Sequence, residues 1–254
     1  MSCSIDTRQA NEHECTSWII MPPLTGGKTM FLHKNRDSPK TELALRRIVV
    51  PGKFTWISIG DRNSLGANAG LNEKGVAVAM NSGDPSDRYR TTTGLGTPDI
   101  ARIVLEKSAD AMHAAKAIEK IIRAGRYRHG TKGSIWFVAD SKRAFILEND
   151  AERIACHSVD AGFAVRANAW HYPEMVIYSQ YTQRALVAHH RREFAVRKRL
   201  FGEGTLYDRI VTQEDIAAAS RISVFPESRS CYPLCGKTPT PERLSPSTVN
   251  IRNF

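Results

Sequence analysis

The chain has 254 residues, of which 41% are hydrophobic and 24% charged, and its formal net charge is +10. This composition is typical of a globular protein of one large or two small domains, and no apolar run approaches the roughly 18–20 residues that a membrane-spanning helix needs. Residues 1–14 contain no apolar segment of signal-peptide type, so the sequence predicts a cytoplasmic protein with no membrane partner.

The first elements of the chain are predicted to form a hairpin. Residues 18–21 and 29–33 are apolar runs of strand type, and the segment 22–27 between them carries turn-forming Pro and Gly residues. The hairpin brings Asp37 back toward the start of the first strand, close to Cys15. This arrangement predicts a cysteine nucleophile at the head of a strand, with a carboxylate to orient it.

In the middle of the chain, a group of predicted strands is followed by two helices and then by a second group of strands. Further strands are predicted at 54–59, 75–81, 134–139, 144–148, 153–157 and 162–167, the last four as one meander, with a loop over 83–88. Thr97 is predicted to cap a first helix and Ser108 a second helix, which Gly125 ends. Because strands and helices do not alternate one by one, the order predicts a single α+β domain of antiparallel sheets covered by helices.

A basic helix is predicted over 184–199. This segment holds six basic residues and one acidic residue, Glu193; the basic ones are Arg184, Arg191, Arg192, Arg197, Lys198 and Arg199. Val187, Phe194 and Phe201 recur at seven-residue intervals and predict a buried stripe beneath a basic outer face. That face is either solvated or binds an anionic partner, so a non-catalytic binding protein stays open as an alternative. No nucleic-acid-binding motif accompanies it.

A short helix is predicted over 213–220, and the tail from Pro226 shows no periodicity.

A cysteine nucleophile needs a base to remove its proton. The spacing of the eight histidines singles out none, and His33 lies one residue out of phase with Lys34, so a histidine-dependent thiol hydrolase stays open. Cleavage before Cys15 offers another solution, because it frees an α-amine whose reference pKa of about 7.7–8 suits a general base. Asp37 could hold that amine or the thiol by a hydrogen bond.

Four segments together resemble a known superfamily. Cys15-Thr16 at the head of a strand, Asn35-x-Asp37 after a hairpin, the segment 66–81 ending in Asn81, and the segment 165–168 ending in Asn168 are similar to the N-terminal nucleophile (Ntn) hydrolases of the choloylglycine hydrolase and penicillin V acylase superfamily. Isopenicillin N acyltransferase and secernin-like dipeptidases are relatives in that group. The resemblance implies a four-layer αββα sandwich of two antiparallel sheets between helix layers.

The resemblance also implies the parts of the site. Residues 1–14 would be a propeptide removed autocatalytically, leaving residues 15–254 as one domain with Cys15 as the nucleophile. Asp37 would orient the α-amine, and Asn81 would donate its side-chain amide to the oxyanion. Asn168 would assist at the amine or the substrate.

Two cationic residues are implied as substrate ligands. Lys34 stands where the bile-salt and penicillin enzymes have an arginine, which changes a planar fork into a point charge. Arg229 is the candidate for a second arginine that these families carry late in the chain.

The resemblance implies an enzyme that hydrolyses a linear, non-peptide amide through a thioester on Cys15. An acyltransferase and a dipeptidase use the same chemistry and stay open. The implied partner is a small-molecule amide, with no cofactor and no metal. Nucleic acid is not favoured as a partner, and a homo-oligomer stays open.

Overall fold

The computed structural model describes residues 15–27, 29–36, 42–90, 92–128, 130–160, 162–204, 206, 208–221 and 245–251. Its strands are β1 (Cys15–Ile20), β2 (Met30–Arg36), β3 (Leu43–Ile48), β4 (Trp56–Asp61), β5 (Ala69–Asn72), β6 (Ala77–Arg90), β7 (Gly130–Ala139), β8 (Ala144–Asn149), β9 (Ile154–Ser158), β10 (Phe163–Arg166) and β11 (Ser245–Ile251). Its helices are α1 (Thr97–Lys107), α2 (Ala111–Arg123), α3 (Pro173–Val176), α4 (Gln183–Phe201) and α5 (Gln213–Ala219). Within these ranges, no helix is long and apolar enough to cross a membrane.

The strands form two antiparallel sheets, which confirms the predicted α+β class. One sheet has the order β10-β1-β2-β11, and the other runs from β3 to β9 with each strand beside its neighbour in sequence. The prediction that β10 extends the meander of β7 to β9 was wrong. β10 pairs with β1 instead, Trp18 lying opposite Val165, so the chain crosses to the other sheet just before Asn168.

Apolar side chains fill three spaces, and these spaces separate four layers. One cluster joins α1 and α2 to the large sheet, for example Ile100 and Ile118 against Trp136. A second lies between the sheets, where Ile19 and Leu32 share a cluster with residues of β5 to β8. A third joins β1, β2 and β10 to α4 and α5. The layers are therefore helix, sheet, sheet and helix, as the αββα expectation requires.

β6 continues through the predicted loop over 83–88. It runs to Arg90 against β7, with shifts of register between Ser82 and Pro85 and between Pro85 and Arg90. The loop prediction was therefore wrong: Pro85 lies at an irregularity of the ladder, which is where a strand accepts a proline. The extension brings Ser82 and Asp84 beside the turn that carries Asn168.

The helix caps differ from the prediction by one or two residues. Gly96 precedes α1, so that Thr97 is its first residue and Pro98 falls in its first turn. Asp110 caps α2 by accepting a hydrogen bond from the backbone nitrogen of His113, and Ser108 ends α1 instead. Serine and aspartate both suit a cap position, so the residue types alone did not separate them.

The buried stripe predicted for α4 was largely wrong. Phe194 is 62% exposed and Val187 is 38% exposed, and only Phe201 of the three is buried. The inward face carries Val196 and Leu200 together with polar residues, namely His189, Arg192 and Glu193. The spacing of apolar residues could not predict this face, because three of its buried residues are polar or charged. The other basic residues of the segment, Arg184, Arg191, Arg197, Lys198 and Arg199, are exposed.

β11 is a strand that the sequence did not predict. It pairs with β2 through seven register positions, from Ser245 opposite Arg36 to Ile251 opposite Met30. Its sequence begins Ser-Pro-Ser-Thr, which reads locally as loop. The strand is specified by pairing with the edge of β2, a contact that no local pattern encodes.

Candidate active site

Cys15 is the first residue of β1, an inner strand of the four-stranded sheet, and its side chain points toward the seven-stranded sheet. Successive side chains of a strand point to opposite faces, so Cys15 and Ser17 share the face of Ile19, which packs between the sheets. Thr16 and Trp18 share the opposite face, toward α4 and α5. Cys15 is 5% exposed and lies opposite Arg36 of β2. The thiol is therefore held at the edge of the space between the two sheets.

The backbone nitrogen of Cys15 is bound by Asn168. It donates a hydrogen bond of 2.8 Å to the Oδ1 atom of Asn168, which is buried just beyond the end of β10. The Nδ2 atom of Asn168 donates in turn to the carbonyl oxygen of Ser82 at 2.8 Å. This second bond fixes which end of the amide faces Cys15, so an acceptor lies at the nitrogen that would become the α-amine.

Arg192 makes a further set of contacts with the same residues. Its Nη1 atom donates to the carbonyl oxygen of Cys15 at 2.9 Å and to Oγ1 of Thr16 at 3.2 Å, and its Nη2 atom donates to Oδ1 of Asn168 at 3.1 Å. The side chain is 1% exposed. The prediction that Arg192 belongs to the basic outer face of α4 was therefore wrong. The guanidinium of Arg192 is a buried positive charge beside the first residues of β1.

A signal for Arg192 is present in the sequence. The helical stripe that contains Val196 and Leu200 continues backwards, at spacings of three and four residues, through Arg192 and His189. A charged residue on the inward stripe of a helix must have partners, because a buried charge without them is costly. Such a residue is a candidate for a functional site.

His189 is held neutral beside Arg192. Burial lowers the pKa of His189 to about 3, and the charge of Arg192 adds to the effect. The Nη2 atom of Arg192 lies within hydrogen-bond distance of Nδ1 of His189, and an arginine can only donate. Nδ1 therefore accepts. A protonated His189 would lose this bond and would face a second positive charge.

Lys34 and Asn81 form the floor of the site between the sheets. The Nζ atom of Lys34, which is 2% exposed, donates to the carbonyl oxygen of Met80 at 2.6 Å and to Oδ1 of Asn81 at 3.0 Å. Oδ1 of Asn81 also accepts from Oγ of Ser17 at 2.7 Å. Lys34 lies opposite Ser17 in the β1–β2 ladder, so the alternation of β2 sends its side chain to the same face as Cys15.

The amide nitrogen of Asn81 is already engaged. It donates to the carbonyl oxygens of Arg166 and Ala167 at 3.0 and 2.8 Å. In this arrangement both amide hydrogens are used, so an oxyanion would compete with one of these carbonyls. The side chain of Asn81 ties β6 to the end of β10, immediately before Asn168.

A cavity of about 490 Å³ opens beside Cys15. Its described wall includes one carboxylate, Asp61, and four cationic side chains, those of Lys34, Arg36, Arg128 and Lys132. Asp61 accepts an ion-pair contact from Arg36 at 2.9 Å. Asn68 and Ser82 add polar groups to the same wall. The excess of positive charge on this wall favours a ligand that carries a negative charge.

Two predicted site residues, Asp37 and Arg229, lie outside the residues that the structure describes. Arg36 of β2, which pairs with Cys15, is the residue directly before Asp37.

No hydrogen bond joins Cys15 to a histidine in the described part of the chain. His33, the histidine of the first hairpin, lies on the opposite face of the sheet, where its ring stacks on Trp18 at 4.0 Å between centroids. Burial lowers the pKa of His33 to about 4. Its position agrees with the expectation that it is out of phase with Lys34, and it gives no support to His33 as a base for Cys15.

Comparison with known proteins gives a family and a fold. The family model for acyl-coenzyme A:6-aminopenicillanic acid acyl-transferase matches residues 24–196. Among solved structures, the N-acylethanolamine-hydrolyzing acid amidase ortholog of Caenorhabditis elegans is similar with a TM-score of 0.57 and 17% identity, covering 86% of this chain and 90% of that one. This likeness shows the fold.

A conjugated bile acid hydrolase of Clostridium perfringens matches at a TM-score of 0.48 and 13% identity over 78% of this chain. The chain spans 63% of the length of that hydrolase. The penicillin V acylase of Agrobacterium tumefaciens matches at a TM-score of 0.42 and 13% identity, covering 72% of this chain and 57% of that one.

Proposed function

The chain belongs to the acyl-coenzyme A:6-aminopenicillanic acid acyl-transferase family of Ntn enzymes, and we propose that it is an amidohydrolase that cleaves a linear, non-peptide amide through a thioester on Cys15. The observation that carries the proposal is the 2.8 Å hydrogen bond from the backbone nitrogen of Cys15 to Oδ1 of Asn168. An acceptor at that nitrogen is what an N-terminal nucleophile requires, because the nitrogen must become a positioned base.

Cleavage before Cys15 converts its amide nitrogen into an α-amine with a free lone pair. The amine then takes the proton of the Cys15 thiol, and the thiolate sulfur attacks the carbonyl carbon of the substrate amide. The carbon–nitrogen bond breaks, and the leaving amine takes the proton from the ammonium. A thioester remains on Cys15. Water loses a proton to the α-amine and attacks the thioester, the carbon–sulfur bond breaks, and the thiolate takes the proton back.

Asn168 and Arg192 prepare the α-amine for this role. Oδ1 of Asn168 accepts one of its hydrogens, which orients the lone pair without adding a charge. The guanidinium of Arg192 contacts the carbonyl oxygen of Cys15 and Oδ1 of Asn168. A positive charge this close disfavours the ammonium form, so the amine stays unprotonated, and able to accept a proton, near neutral pH. Both are positioning residues in this scheme, and Asp37 is proposed to complete the set.

The oxyanion needs donors on the cavity side of Cys15. Lys34 and Asn81 lie on the inter-sheet face that Cys15 shares with Ser17, and we propose Asn81 as a donor that exchanges one carbonyl for the oxyanion. Removal of one oxyanion donor from an enzyme of acyl transfer costs about 2.7–4 kcal/mol of transition-state stabilisation. Lys34 donates to Oδ1 of Asn81 at 3.0 Å, which leaves Nδ2 as the end of the amide that faces the carbonyl oxygens of Arg166 and Ala167.

The substrate is proposed to carry an anionic group near the scissile bond. The cavity beside Cys15 has four cationic side chains and one carboxylate among its described lining residues. A carboxylate, sulfonate or phosphate placed about one or two bonds from the amide nitrogen would face these cations. A neutral amide of the same size would gain less, because it would leave the positive wall uncompensated.

A pair of substrates tests both the reaction and the charge preference. An N-acylglycine and an N-acylethanolamine with the same acyl chain differ in a carboxylate against a hydroxyl. We expect hydrolysis of the N-acylglycine, measured as free glycine and free acid, with a kcat/KM at least about tenfold above that of the ethanolamide. Equal rates would contradict the charge preference only. Hydrolysis of neither, with no acylation of Cys15 by mass spectrometry, would contradict the amidase proposal.

An acyltransferase is the second candidate, and the family description favours it. The thioester on Cys15 would pass to an amine in place of water. The two activities separate in one experiment, in which the acyl donor is supplied with an acceptor amine such as 6-aminopenicillanic acid. A new amide that forms faster than free acid would favour the transferase. A dipeptidase would instead release both amino acids from a dipeptide.

A further inference from the structure

A second cluster of ionisable groups lies beside the catalytic one. His171, from the segment between β10 and α3, meets His190 and Glu193 of α4, and their ligand atoms all lie within 4.8 Å of one another. We propose that these three residues form a binding site for a divalent transition-metal ion of zinc type. The inference does not depend on the amidase proposal, because none of the three residues contacts Cys15 in the hydrogen bonds of the described residues.

The carboxylate of Glu193 lies close to a ring nitrogen of each histidine. Oε2 of Glu193 lies 2.9 Å from Nε2 of His171 and 3.2 Å from Nδ1 of His190. Bonds of about 2.0–2.1 Å at tetrahedral angles separate neighbouring ligand atoms by roughly 3.3 Å. The two carboxylate–nitrogen distances are therefore within a few tenths of an ångström of this value, and the three ligand atoms lie within 4.8 Å of one another, a gap that rotations of the two imidazole rings can narrow.

The ligands are held in place before any ion arrives. Glu193 is 5% exposed, and its other oxygen, Oε1, accepts a hydrogen bond of 2.7 Å from the backbone nitrogen of Ala167. The backbone nitrogen of His171 donates to Oε2 of the buried Glu148 at 2.8 Å. His190 and Glu193 are one turn apart on α4. Such outer hydrogen bonds to the ligating residues strengthen metal sites, because they fix orientation in advance.

The local charges favour a cation. Glu193 brings a carboxylate to the two histidine nitrogens, and carboxylate oxygen and imidazole nitrogen are both common ligands of Zn²⁺. Arg166 faces the cluster, but its Nε atom pairs with Oε1 of Glu148 at 2.8 Å. The side chain of His190 is 53% exposed. That exposure gives an ion a path inward and leaves a position for a water molecule as fourth ligand.

The site would bridge the elements that carry the catalytic groups. Glu193 follows Arg192 on α4, and Ala167, which it binds, precedes Asn168. An ion held between His171 and the two ligands of α4 would fix the distance between this helix and the turn after β10. Occupancy would therefore stabilise the positions of Arg192 and Asn168 relative to Cys15.

Cobalt(II) is the probe that tests the site in the full-length protein. We expect one equivalent of cobalt to give visible d–d absorption without a thiolate-to-cobalt charge-transfer band, and zinc to displace it. His171→Gln and His190→Gln should each weaken cobalt binding by more than about tenfold. The matched control is His157→Gln, which removes an exposed histidine that pairs with Glu174 and should leave binding unchanged.

Two results would overturn the proposal. One is the absence of saturable cobalt binding by the unsubstituted protein, a measurement that does not depend on the folding of any variant. The other is binding with a thiolate charge-transfer band that persists in both histidine variants, which would assign the ion to cysteines.

Discussion

Asn168 accepts a hydrogen bond of 2.8 Å from the backbone nitrogen of Cys15, a residue 153 positions earlier in the chain. The contact exists because the chain leaves the large sheet after β9, and β10 pairs with β1 in the other sheet. It joins the predicted nucleophile to an uncharged acceptor whose other end is held by the carbonyl oxygen of Ser82. The central claim is that this acceptor positions an α-amine that acts as the base.

Asn168→Asp should move the pH dependence of the reaction. The carboxylate still accepts from the amine, but its negative charge favours the ammonium, which cannot take a proton. We expect the acid limb of kcat/KM for the N-acylglycine substrate to shift to higher pH and the rate at pH 7 to fall. The exposed Asn63→Asp should leave the profile in place. An unshifted limb in Asn168→Asp would rule out contact with the base.

Arg192→Lys should lower activity although it keeps the positive charge. The guanidinium uses one nitrogen for Cys15 and Thr16 and the other for Asn168. The single ammonium group of a lysine cannot make both sets of contacts. Loss of a hydrogen bond to a charged group costs about 1.5–3 kcal/mol, so we expect kcat to fall by roughly 10–100-fold. Arg191→Lys, on the exposed side of the same turn, is the matched control. Equal activity of the two variants would contradict a role for Arg192 at the nucleophile.

Lys34→Met should weaken the binding of anionic substrates more than that of neutral ones. The substitution keeps an unbranched side chain that is one atom shorter, removes a charge from the cavity wall and leaves the carbonyl oxygen of Met80 without this donor. We expect KM for the N-acylglycine to rise by roughly tenfold or more, with a smaller change for the N-acylethanolamine. Lys198→Met, at an exposed position of α4, should change neither value. An equal rise for both substrates would indicate that Lys34 only supports packing.

Buried neutral histidines should make the protein less stable in mild acid. Burial lowers the pKa of His189 to about 3 and that of His33 to about 4. Below the unfolded value of about 6.5 the unfolded chain binds protons that the folded chain does not. Stability is therefore fully present above about pH 6.5 and is lost as the pH falls toward these values, by about 1.4 kcal/mol per pH unit for each proton.

Urea denaturation between pH 7.5 and 5 measures this loss. His33→Gln should remove up to one proton from the slope of the unfolding free energy against pH. His157→Gln, at an exposed position, should not change the slope. A slope that is the same in the unsubstituted protein and in His33→Gln would show that His33 is not the group that titrates on unfolding.

The sequence was sufficient for features that depend on neighbouring residues. The first hairpin was predicted because turn residues separate two apolar runs, and strand alternation then places Lys34 on the face of Cys15 and His33 on the other. The αββα layering came from a family resemblance, and the core clusters agree with it. The same resemblance implies Asn168, and the structure places its Oδ1 atom 2.8 Å from the backbone nitrogen of Cys15.

Features that depend on distant contacts were missed. Arg192 looked like a surface charge because its partners, Cys15 and Asn168, are far away in sequence. β11 has little strand character and depends on the edge of β2. β6 continues past Pro85 because β7 offers a long partner on which irregular pairing is tolerated. In each case a tertiary contact outweighs the local preference.

Intact-mass spectrometry of the purified protein, beside its Cys15→Ala variant, tests the central claim most directly. We predict that the unsubstituted chain loses residues 1–14 and begins at Cys15, and that its activity appears in step with this loss. The Cys15→Ala variant should keep residues 1–14 and have no activity. A chain that hydrolyses the substrate at full rate while it still carries residues 1–14 would contradict the α-amine of Cys15 as the base.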